Sequence, residues 1–261
     1  MTSRAERFQF GENWSRFLST VDERKISHAT DRLYELVGNL TGKSFLDVGC
    51  GSGIHSLAAI RLGASRVLSF DYDAQCVACA NEMKRLYAPL ANWTSQQGSA
   101  LDADFMCSLG KFDVVYSWGV LHHTGAMWRS LDLITIPVAD LLAIAIYDDQ
   151  GRLSRMLAGW KRIYVNSPRP VKSLMLGVTF TATWGKAFLV KPFSTRQRWK
   201  SYSSQRGMSP WHDVVDLAGG YPFEVAKPGD VFAFFRQKGF SLERLNTVTR
   251  HGLNEFVFRR C

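Results

Sequence analysis

The chain is poor in cysteine, has no apolar run long enough to cross a bilayer and, over one long stretch, carries no acid at all. Five cysteines in 261 residues, an odd number without disulfide-like spacing, exclude a disulfide-stapled domain and fit a reducing cytoplasm. Cys76-Val77-Ala78-Cys79 has the spacing of a redox or zinc pair, but no second pair completes four ligands. Both cysteines are therefore expected to pack on a helix, and no metal is expected. Ser173 to Gly185 contains no charge, yet so short a stretch cannot span the hydrocarbon core, which needs about 20 residues. Met1 to Phe10 is polar and lacks the apolar centre of a signal peptide. No internal repeat or low-complexity tract appears, and 46% hydrophobic residues suffice for a full core.

The missing acids are the most informative of these absences. From Gly151 to His212 there are twelve Lys and Arg and no Asp or Glu, which leaves 20 bases against 23 acids elsewhere. The whole excess of +9 therefore comes from one segment, whose field favours an anionic substrate, a nucleic acid or an acidic membrane surface.

What is present centres on Phe45-Leu46-Asp47-Val48-Gly49-Cys50-Gly51-Ser52-Gly53. An apolar strand running into Asp-x-Gly-x-Gly-x-Gly turns sharply, with glycine where the backbone needs positive φ or must approach a ligand closely. A second strand, Val67-Leu68-Ser69-Phe70-Asp71, ends in a carboxylate at the distance where such folds bind ribose hydroxyls. A dinucleotide fingerprint, Gly-x-Gly-x-x-Gly, would place glycine at Ile54. The spacing instead favours another nucleoside cofactor.

Strands are expected at Ser44 to Val48, Arg66 to Phe70, Asn92 to Gln96, Phe112 to Trp118 and Leu141 to Tyr147. Helical periodicity in two pieces covers Asn13 to Val37. A helix over Pro228 to Lys238 and a hairpin of Ser241 to Val248 with Asn254 to Arg259 would close the sheet. Leu153, Met156, Leu157, Trp160, Ile163 and Tyr164 recur at three and four residues, so Arg152 to Val165 is expected to be an amphipathic helix covering something with its apolar face.

On these residues the chain resembles the class I S-adenosylmethionine (SAM)-dependent methyltransferases, whose first motif is an acid followed by Gly-x-Gly-x-Gly. Phe112 to Ser117 followed by Val120-Leu121-His122-His123 is similar to the fourth motif of the ubiquinone-biosynthesis type. The resemblance covers Ser44 to Tyr147 and, by element order, the C-terminal elements. It implies an α/β fold: a Rossmann-like, seven-stranded, mostly parallel sheet with helices on both faces. The divisions are an N-terminal helical cap over 1–43, a SAM-binding core over 44–150, a basic insertion over 151–223 as a substrate lid, and closing elements over 224–261. It also implies SAM as cofactor, with Gly49, Gly51 and Gly53 around its methionine part, Asp47 near its ammonium and Asp71 on the ribose. Tyr72 would lie along adenine, and Ala100, Leu101 and Asp102 would line its far side, with Ser117 in the fourth motif. Further pieces, among them Phe10 to Trp14, Ile146 to Gly151, Arg206-Gly207-Met208 and Gly219 to Glu224, match a pattern of bacterial methyltransferases without an assigned substrate. Such sequences usually carry Asn where this one has Asp148.

Methyl transfer needs placement above all, since SAM's sulfonium is already a strong electrophile. A hydroxyl acceptor would also need a base, for which His212 beside Asp213, His122, and Asp148 with Asp149 are the candidates. Trp14, Tyr221 and Arg206 are candidate acceptor contacts, Arg206 for an anionic group. The expected acceptor is small or lipid-linked and is methylated at oxygen in the cytoplasm, with peripheral contact at the inner membrane face left open. Arg196 to Tyr202 interleaves bases with aromatics and keeps RNA methylation as an alternative. A non-catalytic SAM-binding module that docks a partner through the basic segment is another. No obligate protein partner is expected.

Overall fold

The computed structural model describes residues 18, 21–197, 199, 210–249 and 252–261, without the side chains of residues 186, 212 and 213. The core alternates strands with helices: α1 (Glu23–Val37), β1 (Ser44–Val48), α2 (Ile54–Arg61), β2 (Arg66–Asp71), α3 (Ala74–Tyr87), β3 (Trp93–Gln97), α4 (Ala103–Ser108), β4 (Phe112–Trp118), α5 (Met127–Leu133) and β5 (Val138–Tyr147). Helices α6 (Arg152–Asn166), α7 (Arg169–Phe180) and α8 (Lys186–Val190) precede α9 (Pro210–Gly219). The closing elements are α10 (Pro228–Gln237), β6 (Phe240–Asn246) and β7 (Leu253–Arg260).

The seven strands form one sheet in the order β3-β2-β1-β4-β5-β7-β6. β7 alone runs antiparallel, between β5 and β6. A Rossmann-like, mostly parallel sheet with helices on both faces is thus what the strand pattern produces. Alternation along each strand makes two cores. Phe45, Val114, Ala143 and Val257 bury one face against α1, α2 and α3. Leu46, Val115, Leu142 and Phe258 bury the other beneath α5 and α10. These four stand in register, since Leu46 pairs with Val115, Val115 with Leu142 and Leu142 with Phe258. A one-residue slip would swap both faces, so the pattern fixes the register.

Strand five begins at Val138 rather than at the expected Leu141. Asp140 interrupts the apolar pattern there, and Arg259 of the neighbouring β7 answers its carboxylate with an ion pair. Cys76 and Cys79 are buried on α3. Helix α6 forms where the periodicity puts it, but only part of its expected apolar face, with Trp160 and Tyr164, turns inward. Ser154, Lys161 and Tyr164 are buried, while Leu153, Met156 and Ile163 are exposed. Helix α9 packs against both α6 and α7, with Tyr164, Met175 and Ala218 as their small shared core.

Candidate active site

In an open parallel sheet, ligands bind beyond the carboxyl ends of the strands, where the strand order reverses. Here the reversal lies between β1 and β4, and the loop after β1 is the glycine turn. Its backbone is fastened to the next strand: Gly49 and Cys50 N–H both donate to the Phe70 carbonyl, at 2.8 and 3.1 Å. Gly49, Gly51 and Gly53 all have positive φ (78°, 53° and 79°). At two of them packing also demands glycine. A β-carbon at Gly49 would lie 2.3 Å from Val120 Cγ1, and one at Gly53 would lie 2.9 Å from the Ala80 Cα and Cβ atoms. Val120 belongs to the turn after β4, so Gly49 is also where the cofactor loop meets the segment carrying His122 and His123.

Two carboxylates shape this loop. Asp71 accepts from Gly51 N–H through Oδ2 at 3.0 Å and from Asp73 N–H through Oδ1 at 2.9 Å, which ties the loop tip to the end of β2. The Cys76 thiol is a third donor to Asp71, and the carboxylate still keeps lone-pair capacity for a ligand hydroxyl. Burial raises the Asp71 pKa against the lowering effect of those N–H donors. Asp47 is buried at the end of β1 and accepts from the Ser56 hydroxyl at 2.6 Å. Burial, opposed by Ser56 and reinforced by the nearby Asp71, pushes Asp47 up to about 7. Ser52, at the tip, is buried, and among the described residues its hydroxyl has no hydrogen-bond partner. Paired carboxylates, an unmatched hydroxyl and positive-φ backbone suit a nucleoside ligand that carries a positive charge.

The adenine-side residues divide by exposure. Tyr72 is largely exposed and its carbonyl accepts from Gln97 Nε2. Ala100 is buried, and Leu101 N–H donates to Ser99 Oγ. Asp102 caps α4 by accepting from Phe105 N–H at 3.1 Å. Ser117 is wholly buried and gives its hydroxyl to the Val48 carbonyl at 2.9 Å, a tie between β4 and β1 rather than a group turned outward.

The base candidates separate more sharply. His122 is buried, with its ring 4.5 Å from that of Tyr147 and its carbonyl accepting from Glu224 N–H. Asp148 has both oxygens engaged, by Asn254 Nδ2 at 2.9 Å and Gln150 Nε2 at 3.2 Å, so it laces the end of β5 to β7. Asp149 accepts from Gly151 N–H, at the start of α6. The backbone of His212 lies in α9, while its side chain, Trp14 and Arg206 lie outside the described residues.

His123 is the residue that motif reading passed over. The residue is half-buried, and its Nδ1 lies 2.6 Å from the Pro222 carbonyl oxygen. A carbonyl can only accept, so Nδ1 carries the proton and Nε2 is the basic nitrogen. Burial, then the Lys161 charge, lowers its pKa to about 3 against the pull of the Pro222 carbonyl, which keeps the ring neutral. Pro222 follows Tyr221, itself half-buried, in the Gly219 to Glu224 turn. Lys161 steadies that turn from α6. Its wholly buried ammonium donates to the Asp216 and Leu217 carbonyls at 3.1 and 2.8 Å and lies 5.0 Å from the centre of the Phe223 ring. Burial lowers it to about 7, with Asp216 opposing. No motif flags Lys161; its only signal in sequence is a base inside an otherwise apolar helical stripe.

The family model for ribosomal protein L11 methyltransferase matches residues 28–116, which ends inside β4. The ribosomal protein L11 methyltransferase of Aliivibrio salmonicida is 48% identical over 44 residues, 17% of this chain and 15% of that protein. A tRNA U34 carboxymethyltransferase of Enterobacter is 37% identical over 93 residues, 36% of this chain and 28% of that one. The chain thus spans well under half the length of these curated relatives. Among solved structures, magnesium protoporphyrin IX methyltransferase from Synechocystis with bound SAH superposes with a TM-score of 0.56 at 16% identity, covering 96% of this chain and 94% of that one. An O-methyltransferase family protein from Burkholderia thailandensis gives 0.56 at 12% identity, covering 88% and 55%. These likenesses establish the fold as that of the class I SAM-dependent methyltransferases.

Proposed function

Taking the class I methyltransferase fold as premise, we propose that this chain is a SAM-dependent methyltransferase that acts at oxygen on a small or lipid-linked acceptor. The observation that carries the reading is the Gly49–Gly53 loop, pinned between the Phe70 carbonyl and the Asp71 carboxylate with Asp47 buried beneath it. Asp71 would hold the ribose, Asp47 would face the positive end of the methionine part, and the Ser52 hydroxyl would gain a partner. Bound SAM supplies an electrophilic methyl group, and aligning an acceptor behind it is worth about 7–11 kcal/mol.

The chain's own contribution is then proton handling and exclusion of water. Among the described residues His123 is the proposed acceptor for a hydroxyl proton, because Pro222 fixes its tautomer with the basic nitrogen at Nε2. Its low basicity suits transfer of the proton as the methyl arrives, rather than before. The basic insertion over 151–223 covers this edge and selects the acceptor, and an anionic group on that acceptor would find Arg206 or another insertion base. Tyr221 and Trp14 remain proposed acceptor contacts.

The L11 and tRNA enzymes do not carry their substrates to this chain, since the L11 family match stops before β5 and the insertion and the tRNA enzyme matches only 36% of this chain and 28% of its own length. The structural neighbours, a magnesium protoporphyrin IX methyltransferase and an O-methyltransferase family protein, cover 96% and 88% of this chain and support the smaller acceptor. Incubating the protein with methyl-labelled SAM and an extract of its source cells tests the assignment. Label in the organic or small aqueous fraction is expected. Label in nuclease-sensitive polymer, or in protein, would overturn the acceptor class, and SAM binding without turnover on any fraction would leave a binding module.

A further inference from the structure

The insertion leaves many of its large aliphatic residues on the outside. Of the seventeen large hydrophobics exposed among the described residues, nine lie between Leu153 and Phe193, a minor part of the chain. On α6, Leu153, Met156 and Ile163 form an exposed stripe, and Arg152, Arg155 and Arg162 form a second stripe one residue, or about 100°, around the helix. Helix α7 repeats the arrangement with Val171, Leu174 and Val178 beside Arg169 and Lys172. Leu189 and Phe193, both 87% exposed, flank Lys191 beyond it. Apolar stripes edged by bases are the form of helices that lie in a membrane interface. Among the described residues no helix is long and apolar enough to cross one.

We infer that the outward face of α6, α7 and the Leu189–Phe193 segment docks on an anionic lipid bilayer. Three occupants could cover such a face, and the chemistry separates them. Nucleic acid rewards aromatic stacking between phosphate contacts, whereas the exposed side chains are almost all aliphatic. A second copy of the chain would bring bases against bases across a segment without one acid, an arrangement that like-charge repulsion opposes. A bilayer with acidic headgroups satisfies both stripes at once, hydrocarbon for the aliphatics and phosphate for the arginines. The inference deepens the proposed function and rests on it only in its consequence: a lipid-linked acceptor would be met at the surface where the lid lies.

Vesicle flotation of the full chain, without SAM or acceptor, tests the surface alone. Binding to phosphatidylcholine vesicles that contain phosphatidylglycerol is expected to exceed binding to phosphatidylcholine alone by at least about tenfold, and to weaken as salt rises. The variant Met156→Glu/Leu174→Glu/Phe193→Glu is expected to lose at least about tenfold of that binding, with the SAM affinity measured by calorimetry unchanged. Should that variant fail to fold, Arg152→Ser/Arg155→Ser/Arg162→Ser is expected to abolish the preference for acidic vesicles. Equal binding to both vesicle types, no binding to either, preferential binding to an RNA oligomer, or a dimer in light scattering that the triple variant dissolves would each overturn the inference. Because flotation needs neither SAM nor acceptor, its failure is separable from failure of the methyl-transfer assignment, which the labelling experiment reads.

Discussion

The glycine loop and the lid helices solve opposite problems with the same kinds of residue. In the loop, charge is buried deliberately: Asp47 and Asp71 sit under backbone N–H and hydroxyl donors, with glycines letting the chain close around them. In the insertion, charge is nearly all outside among the described residues, and the one wholly buried base among them, Lys161, donates to the last carbonyls of another helix. The loop is organised to receive something cationic and small. The lid is organised to hold a turn in place and to present a surface. Binding and turnover should therefore be separable along this line, with cofactor affinity answering to the loop and turnover to the segment that the lid positions.

The sharpest test of that division is His123→Ala. If His123 takes the acceptor's proton, turnover is expected to fall by about 100 to 10,000-fold while SAM affinity holds, once labelling has identified the acceptor. Loss of SAM affinity instead would dissolve the division. Next is Asp71→Ala on the other side of it. Removing a carboxylate that both fastens Gly51 N–H and faces the ribose is expected to weaken SAM binding by about 100-fold, or ~3 kcal/mol, with the fold intact by circular dichroism. Unchanged calorimetric affinity would remove the cofactor assignment from this loop.

The same contrast governs what could be read in advance. The sheet, its closing hairpin and the acid-glycine turn were legible because their determinants are local: alternation fixes faces, and positive φ asks for glycine at defined spacing. The strand order follows from those elements and the fold resemblance. The lid was legible as helices but not as an orientation. Periodicity from Leu153 to Tyr164 announces an apolar face without saying what covers it, and here α9 packs on the side of Lys161 and Tyr164 and leaves Leu153, Met156 and Ile163 outside. His123 escaped notice for a related reason. Its tautomer is set by Pro222, 99 residues away, a contact made only when the lid's last turn folds back on the sheet. Asp148 stands at the same edge, where Asn254 and Gln150 hold its carboxylate through contacts that the local sequence does not announce.

Lys161 sharpens the comparison from the lid's side. Lys161→Met keeps the bulk and removes the buried amine, but it strands two carbonyls at the end of α9, so a loss of about 1–3 kcal/mol in stability is expected from urea unfolding. The dependence on pH is a separate signature. Its folded pKa, lowered to about 7, lies below the unfolded value of 10.5, so between those two the unfolded chain binds more protons. Wild-type stability is therefore expected to gain from this group as pH rises through that window, and the gain should be missing in Lys161→Met. Asp216 and His123 are the ionisable neighbours. His123 stays neutral there and cannot imitate the effect. A gain that persists in Lys161→Met would move its origin elsewhere.

The smallest effect belongs to the loop and reads its charge directly. Asp47 is lifted to about 7 mainly by burial, so near neutrality it is part protonated in the free protein. A cationic ligand favours the ionised form, so binding should expel that proton. SAM affinity is then expected to rise with pH up to about 7 and level off above it, with a slope approaching tenfold per pH unit on the acid side. Calorimetry in two buffers of different ionisation enthalpy should detect proton release below neutrality, and Asp47→Asn should bind more weakly with no such release. The folding stability of the free protein moves the other way: a carboxyl whose folded pKa is raised holds its proton better than the unfolded chain does, so its contribution is present at low pH and is lost as pH climbs through about 7. The stability of the free protein and its affinity for SAM should therefore show opposite pH trends from one residue. If both trends run the same way, the buried charge of the loop is not what meets the ligand, and the contrast with the lid would rest on geometry alone.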